Sequence, residues 1–225
     1  MDYMTKKRII ALFFPTRCPV CSKVLFPHED FCTECRNTLT EYNGDFNISG
    51  AVKFVAPFEY NEKISPAIIL MKKGIKGNAA YALGTALADC LENHGIPQKI
   101  DVIVPVPMSF ADKRRRGFNQ AELIAKEVGR ILKINVYSDC VEKIRLTEAQ
   151  KNLTKRQRHI NLRNAFEVKY PEKIHQKRIL IIDDVCTTGS TLAELTRLLL
   201  KNGAAEIYCA SCCKTPNIMK EDEKK

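Results

Sequence analysis

Ile179-Leu180-Ile181-Ile182-Asp183-Asp184-Val185-Cys186-Thr187-Thr188-Gly189-Ser190-Thr191 is the stretch on which the reading of this chain turns. The apolar run Ile179–Ile182 predicts a strand buried on both faces. Two acids stand at its carboxyl end. Small hydroxyl residues around Gly189 follow, and a helical pattern over 190–202 begins at their far edge. A loop that enters a helix offers free main-chain N–H groups, which suit a phosphate. Thr187, Thr188, Ser190 and Thr191 add hydroxyl donors, and Gly189 lets the backbone approach a ligand closely. Asp183 and Asp184 repel phosphate but accept hydrogen bonds from a sugar diol. Phosphate on the loop and diol on the acids describe a 5-phosphorylated ribose.

Working outward, strand-like runs at 52–58, 102–106, 135–144 and 207–213 alternate with helical patterns at 62–72, 78–93 and 119–132. From residue 100 onward this order predicts an α/β fold, a mainly parallel sheet with helices on both faces. Such sheets hold ligands beyond the carboxyl ends of their strands. The loops after Val106 and after Asp184 are therefore the ones to watch. The first carries Ser109 and the cations Lys113, Arg114, Arg115 and Arg116 before Gly117-Phe118-Asn119-Gln120, where a helix is expected to open. Cations near a helix start suit a pyrophosphate, with Arg116 nearest Gly117 the best placed. The bland alternative is a solvated basic loop.

A second basic stretch runs from Arg145 to Arg163 and includes Gln150, Lys151, Lys155, Arg156 and Arg158. Residues 101–163 hold 14 Lys and Arg against 7 Asp and Glu, so +7 of the chain's net +10 lies there. That excess favours polyanionic company: nucleic acid, phosphorylated small molecules or an anionic surface. A solvated basic helix reads equally well for any single residue of the stretch.

At the other end, Cys18-Pro19-Val20-Cys21 and Cys32-Thr33-Glu34-Cys35 form two C-x-x-C pairs separated by ten residues. Each such turn places two sulfurs on one side of a tight loop. Two turns supply the tetrahedral sulfur set of a structural zinc site, with Zn–S about 2.3 Å. His28 could replace one sulfur, and disulfide or redox pairing is the remaining alternative. A module this small has little core, so metal binding is expected to supply most of its folding free energy. The other cysteines, Cys90, Cys140, Cys186, Cys209, Cys212 and Cys213, read as small buried hydrophobes.

In 225 residues, 45% are apolar and 28% charged, enough for a real core and too apolar for wholesale disorder. Asn43-Gly44-Asp45 is a turn signal. It sets the expected division into a lead-in and zinc module over 1–45, an α/β domain over 46–219 and a charged tail over 220–225. Ile9–Phe14 is the longest early apolar run. It is too short to span a bilayer, which needs about 20 residues, and does not fit a secretory signal. A cytoplasmic location without membrane insertion is expected.

The stretch Ile179–Thr191 resembles the phosphoribosyl-pyrophosphate (PRPP) motif of the type I phosphoribosyltransferases throughout its length. The Val104–Gln120 segment is similar to the pyrophosphate loop of amidophosphoribosyltransferases, a branch of the same superfamily. The basic stretch 145–163 has the position of that superfamily's flexible lid. Taken with Cys18–Cys35, Lys72-Lys73-Gly74, Gln150, Arg158 and Asn161, the order of motifs resembles the ComF family over about residues 9–215. That resemblance implies the type I phosphoribosyltransferase fold preceded by a four-cysteine zinc module. It implies a PRPP or phosphoribosyl ligand with Mg²⁺, and Asp183 and Asp184 at the catalytic centre. Thr187, Thr188, Gly189, Ser190 and Thr191 would be the PRPP loop. Ser109, Arg114, Arg115 and Arg116 would be the pyrophosphate loop, and Arg145, Gln150, Arg156 and Arg158 the lid or nucleic-acid contacts. It further implies single-stranded DNA handling in natural transformation, with competence-machinery proteins as partners. The alternative it leaves is an active PRPP-dependent transferase of unknown acceptor with no nucleic-acid role. No N-terminal Cys offers a glutaminase nucleophile, so a complete amidophosphoribosyltransferase is not expected.

Overall fold

The computed structural model describes residues 16–26, 29–73, 78–144 and 165–216. Of the candidates named above, Arg145, Gln150, Arg156, Arg158 and His28 lie outside these residues.

The centre is a parallel sheet. Its longest members are β7 (Arg178–Cys186) and β8 (Glu206–Lys214), paired along their lengths. On the far side of β8 lie β1 (Lys53–Val55) and β2 (Phe58–Glu59); beyond β7 come β3 (Val102–Pro105) and β4 (Asn135–Val136). Every pairing in this sheet is parallel. Ile179, Leu180, Ile181 and Ile182 are each at most 1% exposed, as expected of a central strand covered on both faces. At the opposite, amino end of the strands, Arg178 donates to both carboxylate oxygens of Asp101 and so ties the beginnings of β3 and β7 together.

Helices cover the two faces. On one lie α2 (Ser65–Lys72), α3 (Asn78–Asn93) and α5 (Gln120–Leu132); on the other lies α7 (Ser190–Lys201). Between them in sequence stands α4 (Phe110–Arg116), a helix of its own. The sequence pattern places these residues in a loop before the next helix. Ser109 caps α4 by accepting from the Asp112 N–H, and Gly117 ends it at φ 84°, a left-handed turn that favours glycine. Asn119 then caps α5.

Two further corrections concern strand ends. The run read as Ile179–Ile182 continues through Asp183–Cys186, because β8 goes on pairing beside it. The region 135–144 breaks into β4 and β5 (Val141–Lys143). With β6 (Phe166–Val168), β5 forms a separate antiparallel pair whose inner face packs with α7. A single turn, α6 (Pro171–Ile174), connects it to β7.

The cysteine-rich segment precedes all this and contains α1 (Thr33–Thr38). Its buried residues Leu25, Phe31 and Leu39 join the same apolar cluster as α2 and α3. Phe31 meets Phe58 of β2 edge to face at 5.9 Å between ring centres. Among the described residues no helix is long and apolar enough to cross a membrane.

Candidate functional site

A cavity of about 490 Å³ opens at the carboxyl ends of β3 and β7. Asp183 and Asp184 occupy its floor, at the end of β7. Each carboxylate accepts a hydrogen bond from the main-chain N–H of the next residue, Asp184 and Val185 respectively, at 2.8 Å. Burial, and then the neighbouring Asp184 charge, push Asp183 far above the usual carboxylate range. Lys72 reaches over from the end of α2 and pairs with Asp184 at 3.1 Å.

The loop 187–191 lines one wall in full. Gly189 stands at φ 72° as the residue before α7, a three-turn helix whose amino end borders the cavity. A side chain at Gly189 would collide with Ile48 and Phe46, with distances of 2.5 and 2.9 Å from its Cβ. The loop is therefore pressed against a solid backing. Thr188 Oγ1 and Ser190 Oγ share a hydrogen bond of 2.8 Å, which fixes both hydroxyls.

The opposite wall comes from the loop after β3. Val106 N–H donates to the Ile182 carbonyl, holding this loop beside β7. Asn119 donates to the Val106 carbonyl at 2.9 Å and accepts from the Ala121 N–H, joining the loop to the start of α5. Ser109 and Arg116 line the cavity; Arg114 and Arg115 do not. The reason is helical spacing. Asp112 and Arg116 lie four residues apart on the inner face of α4, whereas the two arginines between them turn outward. Arg115 pairs with Asp112 at 2.7 Å.

Four lining residues have no role assigned from the sequence: Lys143, Gln120, Tyr60 and Phe166. Lys143, at the end of β5, lies beside the cavity next to Asp112 and Asp183; burial lowers its pKa and the two acids oppose that shift. An isolated bridge between Ser109 and Lys143 puts it there, a contact between distant parts of the chain. Gln120 is 3% exposed and lines the cavity, yet among the described residues its Nε2 has no partner. An unpartnered buried donor beside an open cavity is a group waiting for an acceptor. Tyr60 and Phe166 add aromatic surface. Lys72 had been singled out only as part of a basic element.

In the amino-terminal segment the Sγ atoms of Cys18, Cys21, Cys32 and Cys35 all lie within 4.8 Å of one another, and Cys21 and Cys32 are 3.6 Å apart. Tetrahedral zinc at about 2.3 Å from each sulfur needs edges of this order. The four residues fit a zinc ion. Burial, and then the other three cysteines of the set, push the Cys35 thiol well up, the strain a bound cation would relieve. Lys23 and Glu34 bridge the two turns at 2.8 Å.

Comparison with known proteins agrees with both halves. Residues 75–225 match the family model of the phosphoribosyl transferase domain, and residues 9–46 match that of the double zinc ribbon domain. The chain is 32% identical over 209 residues to the DNA utilization protein YhgH of Escherichia coli, covering 88% of this chain and 90% of that protein. It is 36% identical over 129 residues to Competence protein F of Haemophilus influenzae, covering 57% of this chain and 56% of that protein. Among solved structures, an adenine phosphoribosyltransferase is 16% identical, with 70% of this chain and 78% of that chain covered and a TM-score of 0.44. With its zinc ribbon, its phosphoribosyl transferase domain and these relatives, the chain belongs to the ComF family.

Proposed function

We propose that this protein binds PRPP, or another ligand carrying a 5-phosphoribosyl group, in the cavity between the 187–191 loop and the loop after β3. One observation carries the reading: the acid pair and the hydroxyl-lined helix start face the same cavity, with Arg116 and Lys143 across from them. The loop would take the 5-phosphate, Asp183 and Asp184 the ribose diol, and Ser109, Arg116 and Lys143 a pyrophosphate with its Mg²⁺. Ligand entry would displace Lys72 from Asp184. The division at residue 45 belongs to this reading, with 1–45 a scaffold and 46–219 the binding unit.

Titration calorimetry with PRPP and Mg²⁺ tests it. The double variant Asp183→Asn, Asp184→Asn should lose affinity at least about 100-fold, as expected for two charged hydrogen-bonding groups. Unchanged affinity in the double variant would reject the assignment. Pyrophosphate release in the same samples decides whether turnover occurs.

A second reading, the handling of single-stranded DNA in the cytoplasm during natural transformation, is favoured by the names of the relatives and by the charge of α4. That helix carries Lys113, Arg114, Arg115 and Arg116, and on it Phe110 is 75% exposed. Phe118, just after α4, is half-buried. An exposed ring beside cations is the arrangement that binds single strands without sequence preference. In the calorimeter a short oligonucleotide replaces PRPP. Salt-independent or absent binding leaves the transferase without a nucleic-acid role.

A further inference from the structure

A lysine that folding hides from water has to recover its hydration from a partner, and buried charges are accordingly paired. Lys214, the last residue of β8, is 1% exposed. Its Nζ donates to the Thr215 carbonyl at 2.5 Å and lies 4.2 Å from the centre of the Phe46 ring. Neither partner is charged. Among the described residues no carboxylate forms an ion pair with it. Lys72 and Lys143, which line the cavity, both stand beside aspartates.

The place of this lysine is as informative as its isolation. It sits opposite Cys186 in the β7–β8 register, just before the loop 187–191. Thr215 N–H donates to the Cys186 carbonyl and Thr215 Oγ1 to the Thr187 carbonyl, so the next residue is fastened to the loop's first strut. Phe46, on which the ammonium rests, is the ring that Gly189 presses against. The ammonium therefore lies behind the loop. The amino end of α7 adds its own positive pole at the same spot. Cys186 supplies no balancing charge, since burial holds its thiol up to about 12. Two positive fields converge on the loop 187–191, and among the described residues no carboxylate is paired with Lys214.

We propose that Lys214 is the buried countercharge for the terminal phosphate of the ligand, and so sets the preference for phosphorylated over unphosphorylated sugars. The inference rests on the phosphoribosyl reading of the cavity. Lys214 does not line the cavity itself. It is a positioning residue that acts through its field across the loop, where intervening protein screens less than water.

The test uses full-length, zinc-loaded protein and calorimetry with two ligands taken separately, ribose 5-phosphate and inorganic pyrophosphate. In Lys214→Met the Kd for ribose 5-phosphate should rise about tenfold, the size expected of one partly screened charge, while that for pyrophosphate stays within about twofold. Lys214→Arg should restore ribose 5-phosphate binding to within about threefold of wild type. Equal ribose 5-phosphate affinity in Lys214→Met overturns the proposal, and so does a parallel loss of both ligands, which would mark an architectural role. Wild-type protein that binds no ribose 5-phosphate removes the pocket reading itself, an outcome distinct from either. Should the methionine variant fail to fold, the ammonium signal of ¹⁵N-lysine-labelled wild type gives the answer. It should shift with ribose 5-phosphate and stay in place with pyrophosphate; no shift with the sugar phosphate overturns the proposal.

Discussion

In the ribbon four cysteines converge on one point, whereas in the sheet Cys209, Cys212 and Cys213 disappear singly among apolar neighbours. The same side chain does opposite jobs. In the ribbon the sulfurs replace a core that so short a segment cannot build. In the sheet they are small hydrophobes, and burial pushes the Cys209 thiol up to about 12. The lesson concerns where cohesion comes from. The ribbon is gathered by a metal and lends Leu25, Phe31 and Leu39 to the neighbouring helices. The sheet is gathered by exclusion of water and opens a cavity at its strand ends.

The largest effect that would sharpen this contrast is loss of zinc. Structural zinc contributes about 10 kcal/mol or more to small cysteine sites. Cys32→Ser, or a strong chelator, should release one equivalent of zinc and disorder the ribbon. Because Phe31 abuts Phe58, the melting temperature of the whole chain should fall as well. A chelated protein with an unchanged melting curve would show that the ribbon is no part of the fold's cohesion.

Next comes the sheet. Ile181→Ala removes a fully buried side chain from the central strand and should cost about 2–5 kcal/mol in denaturant unfolding. Zinc content, measured in the same samples, should not change. A variant that sheds metal would break the distinction between the two sources of stability.

The smallest effect is a pH dependence. Asp183 titrates higher when folded, because burial and the Asp184 charge disfavour its anion, than an unfolded carboxyl, at about 4. Between the unfolded and the folded pKa the native chain holds a proton that the unfolded chain has released. Stability without ligand should therefore fall as pH rises through this window. Asp183→Asn removes the group and should flatten that part of the curve, with a relative gain in stability at its upper end. An unchanged slope would mean that Asp183 is charged in the empty site.

The elements at the two ends of this contrast were the most legible in the sequence, because each is a local signal. Cys18–Cys35 announces a sulfur cluster by spacing, and Ile179–Thr191 announces strand, acids and a hydroxyl-rich loop in continuous order. What stayed hidden depends on distant pairing. Lys143 enters the cavity because its strand meets Ser109, and Lys72 because α2 ends above Asp184. Neither contact has a trace in the local pattern. The outward turn of Arg114 and Arg115 follows from the helix that Ser109 and Gly117 delimit. Once the run Lys113–Arg116 is placed at the end of a helix rather than in a loop, only every fourth position can face inward. Gln120 gave no signal at all, since a lone glutamine at a helix start is ordinary until its amide is found without a partner among the described residues.

The ion pair between Asp101 and Arg178 marks the rim of the sheet farthest from the cavity. Because all the main strands run the same way, every residue at that rim is separated from the ligand by the length of a strand. Immobilising the molecule there, through exposed Lys177 for instance, leaves the mouth of the cavity facing solution. The parallel arrangement thus gives the protein a handle and a working end, which suits it to surface-based binding measurements in which orientation decides whether a ligand can enter.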